Sequence, residues 1–322
     1  MEDRIIADLK ESYGITFSHS TPVTGGLLNL KWRISTDSGR DLLVKQYSAK
    51  RFNRERIESI ESALQRQIIL EECGVACPVL RQCGDRVIRW LDDQTAYMVM
   101  EFCPGRTETS DTVTIAQMRS LGSACAVMHR AFSRFPAPPV KSMPVSGGYT
   151  VDSLWENFNF RMTKDLPDAD AAYRTALLAL EPILRQLGDG FYDKFPTGFA
   201  HEDFHSGNIL FDAGGVSAIV DFDRNCYSYM GHDIGRTVLS FALEEHTLNI
   251  NKAGAFLEGY SRHLPLTKSD IADALRLTWC IETPWWIRPE FFGTCDEIPK
   301  RFKDEMLWLS EHWFELDALL RW

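Results

Sequence analysis

The chain has 322 residues, 44% of them hydrophobic and 25% charged, a globular composition with more residues than one small core needs, so two lobes are expected. Its 35 Lys and Arg face 45 Asp and Glu for a formal charge of −10, which disfavours binding to a phosphate backbone by bulk electrostatics; nucleic acid is not an expected partner. No run approaches the roughly 20 apolar residues of a spanning helix, and the opening MEDRIIADLK is charged where a signal peptide is apolar, so a cytoplasmic chain with no membrane partner is expected.

Residues 3–13 carry the spacing of a short helix ending at Gly14. Leu30, Trp32 and Ile34 then alternate with polar neighbours as in a half-buried strand, and Asp37-Ser38-Gly39 supplies a turn into Asp41-Leu42-Leu43-Val44-Lys45. From residue 53 to 73, Ile57, Ile60, Leu64 and Ile68 recur at helical intervals before Gly74. Two β-rich runs, 86–90 and 96–102, close at Pro104-Gly105. This order describes a small antiparallel sheet with one inserted helix, a first lobe of residues 1–103. Residues 104–322 form the second lobe, mostly helical: 112–132, 152–164, 168–187 and three more helices after 250. One β-rich island at 199–223 interrupts them, with Ile209-Leu210-Phe211 and Ala218-Ile219-Val220 joined by a turn at 212–215. Thr267 and Asp270 make a capping box for the helix that follows. The eight cysteines fall singly, without a Cys-x-x-Cys pair, and are read as reduced, buried thiols, neither disulfides nor zinc ligands.

The densest chemical signal is His201-Glu202-Asp203-Phe204-His205-Ser206-Gly207-Asn208, followed after the apolar pair of strands by Asp221-Phe222-Asp223. An Asp on a loop can accept the proton of an incoming hydroxyl, and an Asn with a second Asp offers hard oxygen ligands for Mg²⁺. Phosphoryl transfer needs these parts together. Polar loops explain any one of these residues, but not the joint spacing.

This pattern resembles the aminoglycoside phosphotransferase and choline kinase superfamily, whose fold is like that of protein kinases. The resemblance implies an α+β, two-lobed protein with a small antiparallel sheet and one helix in the N-lobe, and a mostly helical C-lobe carrying a catalytic β-hairpin. It implies ATP and Mg²⁺ as cofactors, Asp203 as catalytic base, Asn208 and Asp221 as metal ligands, and His201 as a brace for the catalytic loop. Asp233 matches a later structural Asp, and His205 takes a supporting role. Asp223 is open between reaching the metal or substrate and capping the next turn. The general layout looks closest to homoserine-kinase-like and spore-coat CotS-like bacterial branches.

In the N-lobe, Gly25, Gly26 and Asn29 lie in a turn between strands whose backbone N–H groups can approach phosphate oxygens. Lys45 follows in an apolar strand, where an ammonium held by a carboxylate can reach the nucleotide. The carboxylate is expected from the next helix: Glu61, or in reserve Glu58. Residues 97–105 resemble the family's hinge, which implies adenine bonded to the Glu101 carbonyl and the Cys103 N–H. Glu202 stands where switched protein kinases have Arg, Asp223 replaces the Gly of Asp-Phe-Gly, and no Ala-Pro-Glu segment occurs.

A constitutively competent small-molecule kinase fits better than a Ser/Thr protein kinase; a non-catalytic scaffold of the same fold is the rival from another class. The acceptor, a small polar hydroxyl compound (aminoglycoside, amino sugar, homoserine or choline-like), is expected against the C-terminal helices. There Glu282 and Trp286, with His205 and Asp223, are the candidates, although aromatics at helical spacing also serve a core. Monomer and homodimer both stay open.

Overall fold

In the computed structural model, which describes residues 1, 3–23, 29–48, 52–139, 150–165, 170–293 and 295–321, the amphipathic segment Asp3–Tyr13 forms helix α1 and buries Ile5 and Leu9. Strands β1 (Phe17–Pro22), β2 (Leu30–Thr36) and β3 (Asp41–Ser48), helix α2 (Arg54–Glu72), and strands β4 (Leu80–Arg81), β5 (Arg89–Trp90) and β6 (Thr95–Glu101) follow. All pairings in the sheet are antiparallel, in the order β1-β2-β3-β6-β4, with β5 also on β6. The two-residue period divides its side chains. Leu42, Val44, Tyr97 and Val99 join Ile5 and Leu9 of α1, while Tyr47, Ala96, Met98 and Met100 join Ile57, Ile60 and Leu64 of α2. Lys45, opposite Met98 in the register, is thereby delivered to the α2 face.

Helices α3 (Ile115–Phe132), α4 (Val151–Lys164) and α5 (Ala171–Gln186) come next; the expected start of the last at 168 lies outside the described residues. Strand β7 (Thr197–Ala200) precedes the hairpin of β8 (Ile209–Asp212) and β9 (Gly215–Ile219), and β10 (Cys226–Tyr229) pairs back on β7. Helices α6 (Met230–Ala242), α7 (Ile250–Tyr260), α8 (Lys268–Trp286) and α9 (Glu297–His312) complete the main elements. Helix α6 has no counterpart in the sequence reading. Every residue from His232 to Ala242 is buried; Asp233, Arg236, Thr237 and Ser240 share one face at helical spacing, but that polar face is covered by protein and not by solvent.

The described residues form two units, 1–107 with 208–225, and 108–207 with 226–322. The hairpin therefore belongs with the first unit, although the sequence reading assigned all of 104–322 to the second lobe. Backbone bonds explain it: Ile219 N–H reaches the Ala76 carbonyl at 2.7 Å, and Arg106 and Phe211 exchange bonds of 3.0 and 2.8 Å. In the second unit α3 and α7 touch backbone to backbone, for a Cβ on Gly259 would lie 1.9 Å from the Arg119 carbonyl oxygen. Among the described residues no helix is long and apolar enough to cross a membrane. None of the eight cysteines, all among the described residues, is in a disulfide; Cys125 and Cys280 are buried as expected, and the other six are only partly covered.

Candidate active site

Lys45 is the centre of the first unit's polar chemistry. Its side chain is 2% exposed, and Nζ lies 2.8 Å from Asp221 Oδ1 and 2.7 Å from Asp223 Oδ2. The Tyr47 hydroxyl donates to the other Asp223 oxygen at 3.3 Å, and Lys31 Nζ stands 3.9 Å from Asp221 Oδ2. Burial disfavours the Lys45 ammonium, but the two carboxylates outweigh it and raise its pKa. Burial is also the main force on Asp223, whose pKa is raised although Lys45 opposes the shift. Asp221 has φ 66°, in the left-handed region, a backbone strain that Asp tolerates better than most residues. The β8–β9 pairing puts Asn208 beside this residue: Val220 N–H donates to the Asn208 carbonyl at 2.9 Å, one residue before Asp221.

The expected Lys45–Glu61 pair is not formed. Glu61 does face inward, on the stripe of α2 that includes Ile57, Ile60 and Leu64, but its oxygens accept from Val87 N–H at 2.9 Å, Ile88 N–H at 2.7 Å and Gln65 Nε2 at 2.8 Å. It holds the 86–88 loop against the helix; the reserve Glu58 pairs with Arg86 at 2.7 Å. The carboxylate for Lys45 is supplied by Asp223, a residue that sequence spacing left between metal, substrate and a turn. Helix α2 is fastened to this segment by other means. Arg66 bonds the Asn225 side chain at 2.7 Å and its carbonyl at 2.8 Å, and Asn225 Nδ2 donates to the carbonyls of Ala63 and Phe222. Neither Arg66 nor Asn225 was legible in the sequence, since a surface-type Arg and a turn-type Asn carry no motif.

Gly25 and Gly26 lie outside the described residues; Asn29 lies just before β2. At the hinge, Glu101 N–H donates to the Val79 carbonyl at 2.9 Å and Phe102 N–H to that of Asp41 at 3.0 Å. The Cys103 N–H has no backbone acceptor among the described residues. The Glu101 side chain is paired with Arg81 at 2.8 Å.

In the second unit the loop after β7 hangs on Asp233 of α6. Asp233 Oδ2 accepts from His201 N–H at 2.7 Å and stands 3.1 Å from His129 Nε2, while Oδ1 accepts from Glu202 N–H at 2.9 Å. An ionised carboxylate only accepts, so His129 carries a proton on Nε2, and its Nδ1 pairs with the Tyr260 hydroxyl at 2.9 Å. Burial opposes ionisation of Asp233, yet the imidazoles and these donors hold its pKa below the usual range. Glu202, at φ 65°, makes the sharp bend that leads into Asp203. The His201 side chain is buried edge-on against Phe204.

Asp203 keeps a partly exposed carboxylate, with His205 Nε2 3.8 Å from Oδ2. Burial is the main reason that the His205 pKa falls to about 4; Asp203 resists this, and Arg301 and Arg236 add to it. The ring is neutral and accepts from Gly207 N–H at 3.0 Å.

Glu282 and Trp286 are not free for an acceptor's cation. Glu282 Oε1 lies 3.0 Å from His232 Nε2, and Oε2 is 2.6 Å from Arg236 Nη1 and 3.1 Å from Trp286 Nε1. Burial opposes its ionisation, but Arg236 and His232 pull its pKa down to about 2. Trp286 stacks on Phe302 at 4.8 Å, and Trp279, Trp308 and Trp313 are core. These aromatic rings thus serve packing.

A family model described as the phosphotransferase enzyme family, APH, matches residues 19–266. The chain belongs to the APH phosphotransferase family. This phosphotransferase-family chain is 28% identical over 204 residues to the homoserine kinase of Bradyrhizobium sp. (strain BTAi1), a match covering 63% of the chain and 59% of that relative's length. Its fold is similar to that of a microcompartment-associated aminopropanol kinase, with a TM-score of 0.64, 16% identity and 99% of each chain covered. It is also similar to amicoumacin kinase hAmiN, solved with AMP-PNP and Ca²⁺, with a TM-score of 0.63, 16% identity, and 98% and 97% of the two chains covered.

Members of such a family imply a nucleotide-bound Mg²⁺, and the phosphotransferase's residues fit one. Among the described residues no group of three or more His, Cys, Asp and Glu could hold a metal. Mg²⁺ in kinases needs no such cage, because waters and phosphate oxygens fill most of its positions and one or two protein oxygens suffice. Asn208 and Asp221, at the open end of one hairpin, supply hard oxygens only.

Proposed function

We propose that this chain is an ATP- and Mg²⁺-dependent kinase acting in the cytoplasm, which transfers the γ-phosphoryl group to a hydroxyl of a small polar molecule. The observation that carries the reading is the buried Lys45 ammonium between Asp221 and Asp223, with Asn208 across the hairpin. A buried lysine with two carboxylates is a costly arrangement for mere stability, and phosphoryl transfer uses it. Homoserine kinase relatives and the nucleotide-analogue complex of a similar fold support the same reading.

In this reaction Lys45 orients the nucleotide phosphates and balances their charge, and Asp223 and Tyr47 hold Lys45 in place. Asn208 and Asp221 would hold Mg²⁺, which when bound neutralises charge on the phosphate oxygens. The Glu101 carbonyl and Cys103 N–H would take the adenine edge through the backbone. Asp203 orients the acceptor hydroxyl and takes its proton as the O–P bond forms; His201, His129 and Asp233 keep that loop in register. The γ-phosphoryl group passes directly to the acceptor oxygen as its bond to the bridging oxygen of the β-phosphate breaks and ADP leaves, with no covalent enzyme intermediate.

Asp203→Ala, assayed by coupled ADP release with homoserine and other hydroxyl acceptors, should lose turnover by at least about 10²-fold while Mg·ATP still stabilises the protein against heat. Preserved turnover, or loss of nucleotide binding alone, would contradict the assignment.

A further inference from the structure

The acceptor side of the second unit contains an ion cluster that the transfer chemistry does not use. Besides Glu202, it comprises His232 and Arg236 of α6, Glu282 of α8, and Arg301 and Glu305 of α9. Most of it is internally matched. Glu282 takes His232 and Arg236; Glu305 bonds the other arm of Arg236; His232 Nδ1 lies 3.6 Å from Glu202 Oε1. His232 is raised to about 10, against burial, by these two glutamates, so it counts as a cation.

Arg301 differs. Its Nη1 donates to the neutral Ser206 hydroxyl at 2.7 Å, and its Nε has no hydrogen-bond partner among the described residues. The nearest carboxylate, Glu305, is 3.6 Å away and already bonded to Arg236. The side chain is 37% exposed, against 3% for Arg236. Burial lowers the Arg301 pKa, Glu305 compensates in part, and Arg236 lowers it further; the guanidinium has a carboxylate nearby but, among the described residues, none hydrogen-bonded to it.

Its position ties it to the loop of the proposed base. Ser206 is three residues after Asp203. The guanidinium lies over Phe302, 4.6 Å from the ring centroid, and the same ring takes the edge of His205 at 5.5 Å. His205 in turn reaches Asp203.

We infer that Arg301 receives a carboxylate of the acceptor whose hydroxyl is presented to Asp203, so that the substrate class is small hydroxy acids and hydroxy amino acids. The inference rests on the kinase reading and narrows it. A planar fork with unused N–H groups matches a carboxylate and nothing cationic. Glu282 and Glu305 are both bonded to Arg236, and the third carboxylate, Glu202, faces the His232 cation at 3.6 Å. A polycationic acceptor would meet His232, Arg236 and Arg301, three cations whose charge the cluster's three carboxylates only just balance.

The test uses the full chain, Mg·ATP and four acceptors: homoserine, 3-amino-1-propanol (homoserine without its carboxylate), choline and kanamycin. Homoserine should lead. Arg301→Met should raise the homoserine KM by roughly 10- to 100-fold, the loss of a charge-assisted pair, with ATP KM and Mg·ATP thermal stabilisation unchanged. Its effect on any residual 3-amino-1-propanol turnover should stay within about threefold, and Arg301→Lys should fall between Met and wild type. A ranking led by an acceptor without a carboxylate, or an equal loss on homoserine and aminopropanol, overturns the role of Arg301 and leaves the kinase reading standing. No ADP release with any acceptor, together with no stabilisation by Mg·ATP, ends both.

Discussion

Removing the Asp233 carboxylate should separate loop positioning from nucleotide binding. Asp233 is 1% exposed and holds two backbone donors and one imidazole within 3.1 Å. Asp233→Ala leaves His201 N–H, Glu202 N–H and His129 Nε2–H buried without an acceptor and releases Glu202 from the partner that holds it at φ 65°. Each bond to a charged acceptor is worth about 1.5–3 kcal/mol. Because such terms are not additive, breaking the network should cost about 3–5 kcal/mol, near 10 °C in Tm for a unit of this size at about 2–4 °C per kcal/mol. Turnover should fall about 100-fold, the consequence of an ångström-scale shift of Asp203, with ATP KM changed less than about threefold. Asp233→Asn should be almost as damaging, because either orientation of the amide turns an NH₂ toward a donor. The wild-type pH dependence has a definite sign: the pKa of Asp233 is depressed on folding, so its stabilisation is present above the ordinary carboxylate value and is lost as pH falls through the folded one. Thermal unfolding and steady-state kinetics check all of this. A stability loss below about 1 kcal/mol, or a loss confined to ATP affinity, would refute the reasoning.

Lys45→Met leaves Asp221 and Asp223 without their shared cation; it should destabilise by about 3 kcal/mol and raise ATP KM together with a fall in kcat, measured by chemical denaturation and initial rates. Adding Asp223→Asn should return part of the stability and none of the activity. On the α1 face of the sheet, Asp8 is held down to about 2, first by its hydrogen bond to Arg89 and then, against burial, by Tyr97 and Ser12. Asp8→Asn should therefore cost about 1 kcal/mol at pH 7 after allowance for solvent screening, and the difference from wild type should vanish as pH falls from about 4 to 2, read from urea midpoints.

The site's chemistry was legible because it is written in residue type and spacing. Asp203, Asn208 and Asp221 stand on loops flanking an apolar hairpin, and Lys45 breaks an apolar run at a position the two-residue period turns toward α2. Partners chosen across the fold were not legible. Glu61 satisfies every sequence criterion for holding Lys45, yet loop 86–88 presents two backbone N–H groups to it, and Asp223 arrives at Lys45 from 178 residues away. Likewise Glu282 looks like a ligand for a cation until Arg236 and His232, on a helix whose polar residues are turned into the interior, are packed against it.

What the sequence determined by itself is local: strand and helix faces, turns, and which side chains could do acid–base or metal chemistry, since these follow from periodicity and functional groups. The tertiary structure alone decided which charges neutralise one another and which, such as Arg301, are left with unused donors, because a buried ion's partner is set by three-dimensional packing and desolvation and leaves no mark in the order of residues.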